Sequence, residues 1–191
     1  EADGRLFVFI PYLFATTVYG VGVCPERSVI IPCLHDESYA RLSVYREALP
    51  RARALVFHTD AERALADELF PGPLGQVRAV LGEGVDVEPP GDPARFRLQY
   101  GIDGPFVLYV GRREPGKNTP LLLDYWARYW RETGQGRGAR LVLLGPGEVA
   151  LPAAAADGFV DLGFVPAQDK RDALAAAAVF CLPSVNESFS I

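Results

Sequence analysis

The segment Phe106-Val107-Leu108-Tyr109-Val110-Gly111-Arg112-Arg113-Glu114-Pro115-Gly116-Lys117 decides the fold class. Its first five residues form a short apolar, β-rich run of the kind buried in a sheet, and a Gly/Pro loop with three cations follows. Amphipathic helical sequence resumes from about Thr119 to Arg131. Strand, loop and helix in that order make the unit of a parallel α/β sheet, where ligands sit outside the carboxyl ends of the strands.

The same alternation extends in both directions. Downstream, strands are predicted at Arg140 to Leu144, Phe159 to Asp161 and Val179 to Leu182, with a helix from about Asp169 to Ala178. Asp169, with Asp172 three residues on, is expected to cap that helix and complement its dipole. Upstream, Leu6 to Ile10, Ser28 to Cys33, Ala54 to Phe57 and Val77 to Leu81 read as buried strands. Helices are predicted over Ser38 to Leu49, capped by Ser38, and over Asp60 to Phe70, capped by Thr59 or Asp60. Between the halves, Gly82 to Pro93 is rich in glycine and proline and poor in apolar anchors. A domain boundary falls there, giving residues 1–83 and 84–191.

Composition narrows the class. With 191 residues, 49% hydrophobic and 23% charged, the chain is a folded protein and not a disordered one. A compact chain of this length buries roughly 70% of its unfolded surface. Nineteen Lys and Arg stand against 24 Asp and Glu, a net charge of -5, which argues against nucleic acid as a partner. The cysteines Cys24, Cys33 and Cys181 are odd in number and lack C-x-x-C spacing. Two of them lie in apolar runs that read as buried, so a reduced, cytoplasmic setting is expected. The uncharged run Leu6 to Pro25 is interrupted by Pro11, Thr16, Thr17, Gly20 and Gly22, which favours a buried strand plus loop over a membrane span or signal segment. The chain has no methionine, opens at Glu1 close to an apolar run and closes at Phe189-Ser190-Ile191 just after a strand, and so reads as a piece of a longer protein.

Five places could carry chemistry. Arg112 and Lys117 flank a loop able to fold back on itself, so a bidentate guanidinium and a point-charge ammonium could both reach a diphosphate. Taken alone, such a pair reads as a solvated turn. Leu144-Gly145-Pro146-Gly147-Glu148-Val149-Ala150 formally matches the dinucleotide pattern G-x-G-x-x-A, but Pro152 and Asp157-Gly158 leave little room for the helix that pattern needs. A turn that lets backbone approach a ligand, or simply a turn, fits better. Val160-Asp161-Leu162-Gly163-Phe164-Val165-Pro166 offers backbone groups and a flat apolar surface to a base, or ordinary core packing. In Cys181-Leu182-Pro183-Ser184-Val185-Asn186-Glu187-Ser188-Phe189-Ser190, a helix starting near Ser188 would aim free N–H groups at an anion while Glu187 accepts from hydroxyls; a capping cluster is the simpler alternative. His35, in His35-Asp36-Glu37, could orient a ligand group or be an ordinary loop residue. No Asp-x-Asp run and no His/Cys cluster with zinc spacing is present, so a metal-dependent mechanism is not expected.

Read together, Gly-Arg-(x4)-Lys, an apolar strand into Gly-x-Gly, Leu-Gly-Phe-Val and Pro-Ser-x-x-Glu-Ser-Phe-Ser-Ile resemble the group 1 (family 4) retaining glycosyltransferases in order and spacing. Gly84-Val85-Asp86 is similar to the family's passage from acceptor lobe to donor lobe, and His58-Thr59-Asp60-Ala61-Glu62 fits the last strand-helix unit of an acceptor lobe. The resemblance implies a GT-B fold: two Rossmann-like parallel-sheet lobes facing a cleft, both incomplete here. Residues 1–83 would then be the end of the acceptor lobe and 84–191 the donor lobe without its C-terminal end.

The resemblance further implies transfer of a sugar from a nucleotide-diphosphate sugar to an acceptor hydroxyl with retention, without cofactor or metal. Arg112 and Lys117 would grip the diphosphate, with Gly111, Gly145 and Gly147 lining the donor site and Phe164 and Val165 at the base. Glu187 resembles the first carboxylate of an E-x7-E signature near the donor sugar, with Ser188, Phe189 and Ser190 at the following helix. His35 would face the sugar from the other lobe. The second glutamate of the signature would fall beyond Ile191 and the glycine-rich first loop of the acceptor lobe before Glu1, so the chain as given is expected to be inactive alone. The acceptor, whether glycan, lipid or small molecule, is left open, as is peripheral membrane contact; no transmembrane segment is expected. Two other readings stand beside this one: a non-catalytic module that binds a sugar nucleotide, and an NAD(P)-binding dehydrogenase resting on Gly145 to Ala150.

Overall fold

In the computed structural model, which describes residues 4–72 and 77–185, the chain divides into two compact units, the first running to Asp86 and the second over Val87–Val185. The first contains β1 (Phe7–Phe9), α1 (Ala15–Gly20), β2 (Ser28–Ile30), α2 (Ser43–Ala48), β3 (Ala54–Phe57), α3 (Asp60–Leu69) and β4 (Val77–Val80). Its strands pair in the order β1-β2-β3-β4, all parallel. Parallel neighbours need crossover connections, and the three short helices supply them. Ile30, Leu55 and Phe57 from the two central strands meet Tyr12, Leu49 and Leu69 in one core.

Several sequence expectations are corrected here. The run Leu6 to Ile10 is not buried: Leu6, Val8 and Ile10 are each more than half exposed, because β1 ends the described sheet and has a neighbour on one side only. β4, at the opposite end, is largely exposed for the same reason. Leu6 to Pro25 is a strand, a turn and the helix α1, where a strand and loop were expected. The helix expected over Ser38 to Leu49 is broken at Leu42, whose extended backbone (φ -65, ψ 141) separates a 3-10 turn at Ser38–Arg41 from α2. Ser38 caps neither piece. Of the two candidate caps of α3, Thr59 is the one used, its Oγ1 accepting from the Glu62 amide at 3.1 Å. All three cysteines are free thiols of intermediate exposure, less buried than their apolar surroundings suggest.

The second unit contains α4 (Pro93–Tyr100), β5 (Phe106–Val110), α5 (Thr119–Glu132), β6 (Arg140–Leu144), β7 (Phe159–Gly163), α6 (Ala167–Ala176) and β8 (Val179–Phe180). Its order is β7-β6-β5-β8, again all parallel. Side chains alternate across the pleat. Phe106 and Leu108 therefore join Val142 and Leu144 against α4 and α6, while Tyr109, Leu141 and Leu143 pack against Leu123 and Trp126 of α5. Helices cover both faces, as an all-parallel sheet requires. Among the described residues β8 likewise has a neighbour on one side only and is exposed, where a buried strand was expected.

α4 is absent from the sequence reading. Its signals were an N-cap and a stop: Asp92 accepts from the Ala94 and Arg95 amides, Pro93 occupies the first turn, and Gly101 takes a left-handed φ of 62°. Asp172 was expected to support its own helix and instead reaches α4. α6 starts at Ala167, with Asp169 in its first turn and no side-chain cap. Arg95 pairs with both Asp169 and Asp172. Asp169 also accepts from the Tyr100 hydroxyl at 2.6 Å and Gln99 at 3.0 Å, and the Asp172 carboxylate accepts from the Asp92 amide at 2.8 Å. The Tyr100 hydroxyl, ahead of Arg95 and Gln99, holds the Asp169 carboxyl below its usual range. Burial pulls Asp172 upward, but the Asp92 amide, Gln168 and Arg95 together hold it below that range as well. Among the described residues no helix is long and apolar enough to cross a membrane.

Candidate functional site

The carboxyl ends of β5, β6 and β7 meet in the second unit. The Gly111 amide donates to the Leu144 carbonyl at 3.0 Å and the Gly145 amide to the Gly163 carbonyl at 2.7 Å. Gly145 has a φ of +122°, and a Cβ built there would lie 2.1 Å from the Gly111 oxygen; one built on Gly147 would lie 2.9 Å from the Arg113 oxygen. The two loops are thus brought together, and the missing side chains of Gly145 and Gly147 are what allow them to touch; a Cβ on Gly111 would instead meet the Tyr109 hydroxyl at 2.9 Å.

The loop after β5 carries Arg112 and Lys117. Arg112 is mostly exposed, with Nη2 3.2 Å from a Glu114 oxygen. Lys117 closes a 3-10 turn at Pro115–Lys117, its amide donating to the Glu114 carbonyl at 3.0 Å. Asn118 follows in a left-handed conformation (φ 53), and its Nδ2 donates to the Pro183 carbonyl at 3.1 Å. That bond joins the loop to the segment after β8. A hollow of about 360 Å³ lies beside it, lined by Arg113, Glu114, Pro120, Leu123, Asp124 and Glu148 among others.

Arg113, between the two site candidates, was missed by sequence reasoning. It is 7% exposed as a residue. Its amide donates to the Pro146 carbonyl at 2.9 Å, its Nη2 donates to the Gly145 carbonyl at 2.7 Å, and its Nη1 pairs with Asp161 of β7. Asp161 in turn accepts from the Gly163 amide at 3.0 Å. Only its partner reveals the role, and that partner lies 48 positions away.

Phe164 is 82% exposed, whereas Val165 is partly buried and packs on the core with Val160 and Leu162. The loop from Gly145 contains no α-helix; after Pro152 a 3-10 turn runs over Ala153–Gly158. The helix N-terminus that a dinucleotide pyrophosphate needs is not built there, which removes the basis of the dehydrogenase reading. Glu187, Ser188, Phe189 and Ser190 lie outside the described residues.

His35 belongs to the first unit, half-buried, with its carbonyl accepting from the Glu37 amide at 2.8 Å. Close by in sequence is a network to which the sequence reading assigned no role. Glu62, 3% exposed, accepts from the Leu34 amide and the His58 amide, each at 2.7 Å. His58 is also buried, with Nε2 2.7 Å from a Glu83 oxygen. The ends of β2, β3 and β4 are tied together in this way. Burial, with Glu62 and Glu83 adding to it, pushes the Cys33 thiol up to about 11, so it is protonated at neutral pH.

Residues 104–191 match the sequence profile of the glycosyl transferases group 1 family. A D-inositol 3-phosphate glycosyltransferase of Frankia alni is 31% identical over 172 residues, covering 81% of this chain and 42% of the relative; the chain thus spans less than half of that protein's length. Among solved structures, sucrose-phosphate synthase from Thermosynechococcus elongatus matches at a TM-score of 0.68 with 20% identity, over 86% of this chain and 46% of the other. HepE of Anabaena, solved with UDP and glucose, matches at 0.66 with 16% identity, over 91% and 51%. An alpha,alpha-trehalose 6-phosphate synthase from Burkholderia multivorans matches at 0.63 with 13% identity, over 99% and 53%. Two all-parallel sheets, the match over residues 104–191 and these likenesses agree: residues 104–191 are a group 1 glycosyltransferase segment, and the chain carries the GT-B fold.

Proposed function

We propose that the second unit binds a nucleotide-diphosphate sugar and that the protein transfers the sugar to an acceptor hydroxyl with retention of configuration. The observation that supports this reading is the meeting of the Gly111, Gly145 and Gly147 backbones at the carboxyl end of a parallel sheet, in direct continuity with the loop bearing Arg112 and Lys117. Glycine lets a diphosphate come close to main chain, and two cations answer its charge. As the bond from the anomeric carbon to the diphosphate breaks, its electron pair goes to the phosphate oxygen, so preorganised cations aimed there lower the barrier. In this reading they do so without a metal. In this reading Phe164 presents the open face for the base, Glu187 the acceptor for sugar hydroxyls, and the Ser188 to Ser190 amides a further anion contact. HepE, with UDP and glucose bound, makes UDP-sugars the first donors to try.

A charge-assisted bond from Arg112 or Lys117 contributes about 1.5 to 3 kcal/mol. Lys117→Ala is therefore expected to lower transfer by roughly ten- to a hundredfold and to weaken nucleoside-diphosphate affinity. The check is nucleoside-diphosphate release by the full-length enzyme across UDP-, GDP- and ADP-sugars, with the anomeric configuration of the product read by NMR. Unchanged transfer and affinity in the variant would overturn the assignment of the loop. Tight binding with no turnover of any donor would identify a non-catalytic module, and an inverted product would remove retention.

A further inference from the structure

Within the cation loop itself lies a buried guanidinium that spans all three strand ends. Arg113 is the residue after Arg112, and its side chain is only 4% exposed. The fork of its guanidinium is divided: Nη1 to the Asp161 carboxylate on β7, Nη2 to the Gly145 carbonyl at the end of β6. Its own amide adds a third tie, to Pro146, and its carbonyl lies against Gly147. The Tyr109 hydroxyl donates to the Arg112 carbonyl at 2.6 Å and accepts from the Thr119 hydroxyl at 3.1 Å, so the backbone between the two arginines is pinned on either side. A guanidinium is suited to this task because it offers several donors in one rigid plane, where an ammonium offers a point charge. Buried between two loops, it needs its carboxylate partner: a charge removed from water and left unpaired is strongly unfavourable.

We propose that Arg113, buried and paired with the more accessible Asp161, is a positioning residue that sets the cation loop against the Gly145 to Gly147 turn, and so fixes how Arg112 and Lys117 meet the donor diphosphate. This rests on the reading of that loop as the diphosphate site. Arg113 itself touches no ligand in this account. Its effect falls on the phosphate-binding half of the site, because its bonds run to Gly145 and Pro146 after β6 and to Asp161 within β7, and none of these is to Phe164.

The test measures affinity by calorimetry in the full-length protein, using whichever of UDP, GDP and ADP the unaltered protein binds most tightly and the matching nucleoside without phosphates. Arg113→Met and the milder Asp161→Asn, which leaves Arg113 in place and keeps an oxygen for the Gly163 amide, are each expected to weaken the diphosphate at least fivefold and leave the nucleoside within twofold. Arg113→Lys should recover part of the Arg113→Met loss by keeping the ion pair. In turnover, kcat/KM for the donor falls while the acceptor KM stays unchanged. Equal loss for nucleoside and diphosphate in Asp161→Asn would mean general disruption and overturn the proposal. So would unchanged diphosphate affinity in both variants while Lys117→Ala weakens it. If Lys117→Ala is itself silent, the loop reading fails first, and the proposal falls with it.

Discussion

The two sheets solve the same problem with opposite charges. In each unit the strand ends must be held together where their backbone groups run out of partners. The first unit does it around a carboxylate: Glu62 collects the Leu34 and His58 amides, and His58 extends the tie to Glu83. The second does it around a guanidinium: Arg113 collects the Gly145 carbonyl and the Asp161 carboxylate. An acidic hub consumes amide donors and turns them inward. A basic hub consumes carbonyls, and the neighbouring cation Arg112 stays directed outward, mostly exposed. The unit arranged around the basic hub is the better suited to an anionic ligand.

That contrast can be broken most forcefully at Glu62. Glu62→Ala orphans two buried amides and removes the carboxylate beside buried His58, and is expected to destabilise the protein by about 3 to 5 kcal/mol in urea unfolding. A loss under about 1 kcal/mol would show that the acidic hub is incidental. Next in size is Gly145→Ala, where a left-handed φ and a 2.1 Å clash with backbone leave no easy relaxation. About 2 to 4 kcal/mol is expected, with donor affinity falling alongside; a variant as stable as the parent would mean that the loops are not in contact. The smallest effect concerns acid. Asp169 and Asp172 are held below their usual range in the folded state, so their contribution is present above about pH 4 and is lost as pH falls through their lowered values. Asp172→Asn should flatten the decline in melting temperature below pH 4 and lower the temperature at pH 7; an unchanged acid limb would show that α4 and α6 are not held by these carboxylates.

Much of the architecture could be read from short apolar runs alternating with amphipathic ones, since a parallel sheet covered on both faces demands them. What could not be read depends on neighbours. Leu6 to Ile10 and Val179 to Leu182 look like central strands, yet among the described residues β1 and β8 each have a partner on one side only, and strand order is not written in local composition. The break at Leu42 and the unexpected α4 reflect the same limit at shorter range: Asp92-Pro93 reads as a breaker, although it also starts a helix. At the candidate site, Gly111, Gly145 and Gly147 are legible in the sequence only through the motifs that resemble the family's. Arg113 could not, because a cation among cations looks solvated until Asp161 is brought beside it. Asp169 and Asp172 show the converse, having the right composition for a helix start while serving another helix.

Asn118 meets two demands in one side chain. Its backbone sits at a φ of 53° and its amide reaches the Pro183 carbonyl. Glycine would satisfy the first demand and glutamine the second, but asparagine alone among common residues tolerates the left-handed turn and still has a donor of the right reach. The position therefore has almost no room for substitution, and this clasp helps anchor the residues that precede it to a distant stretch of chain.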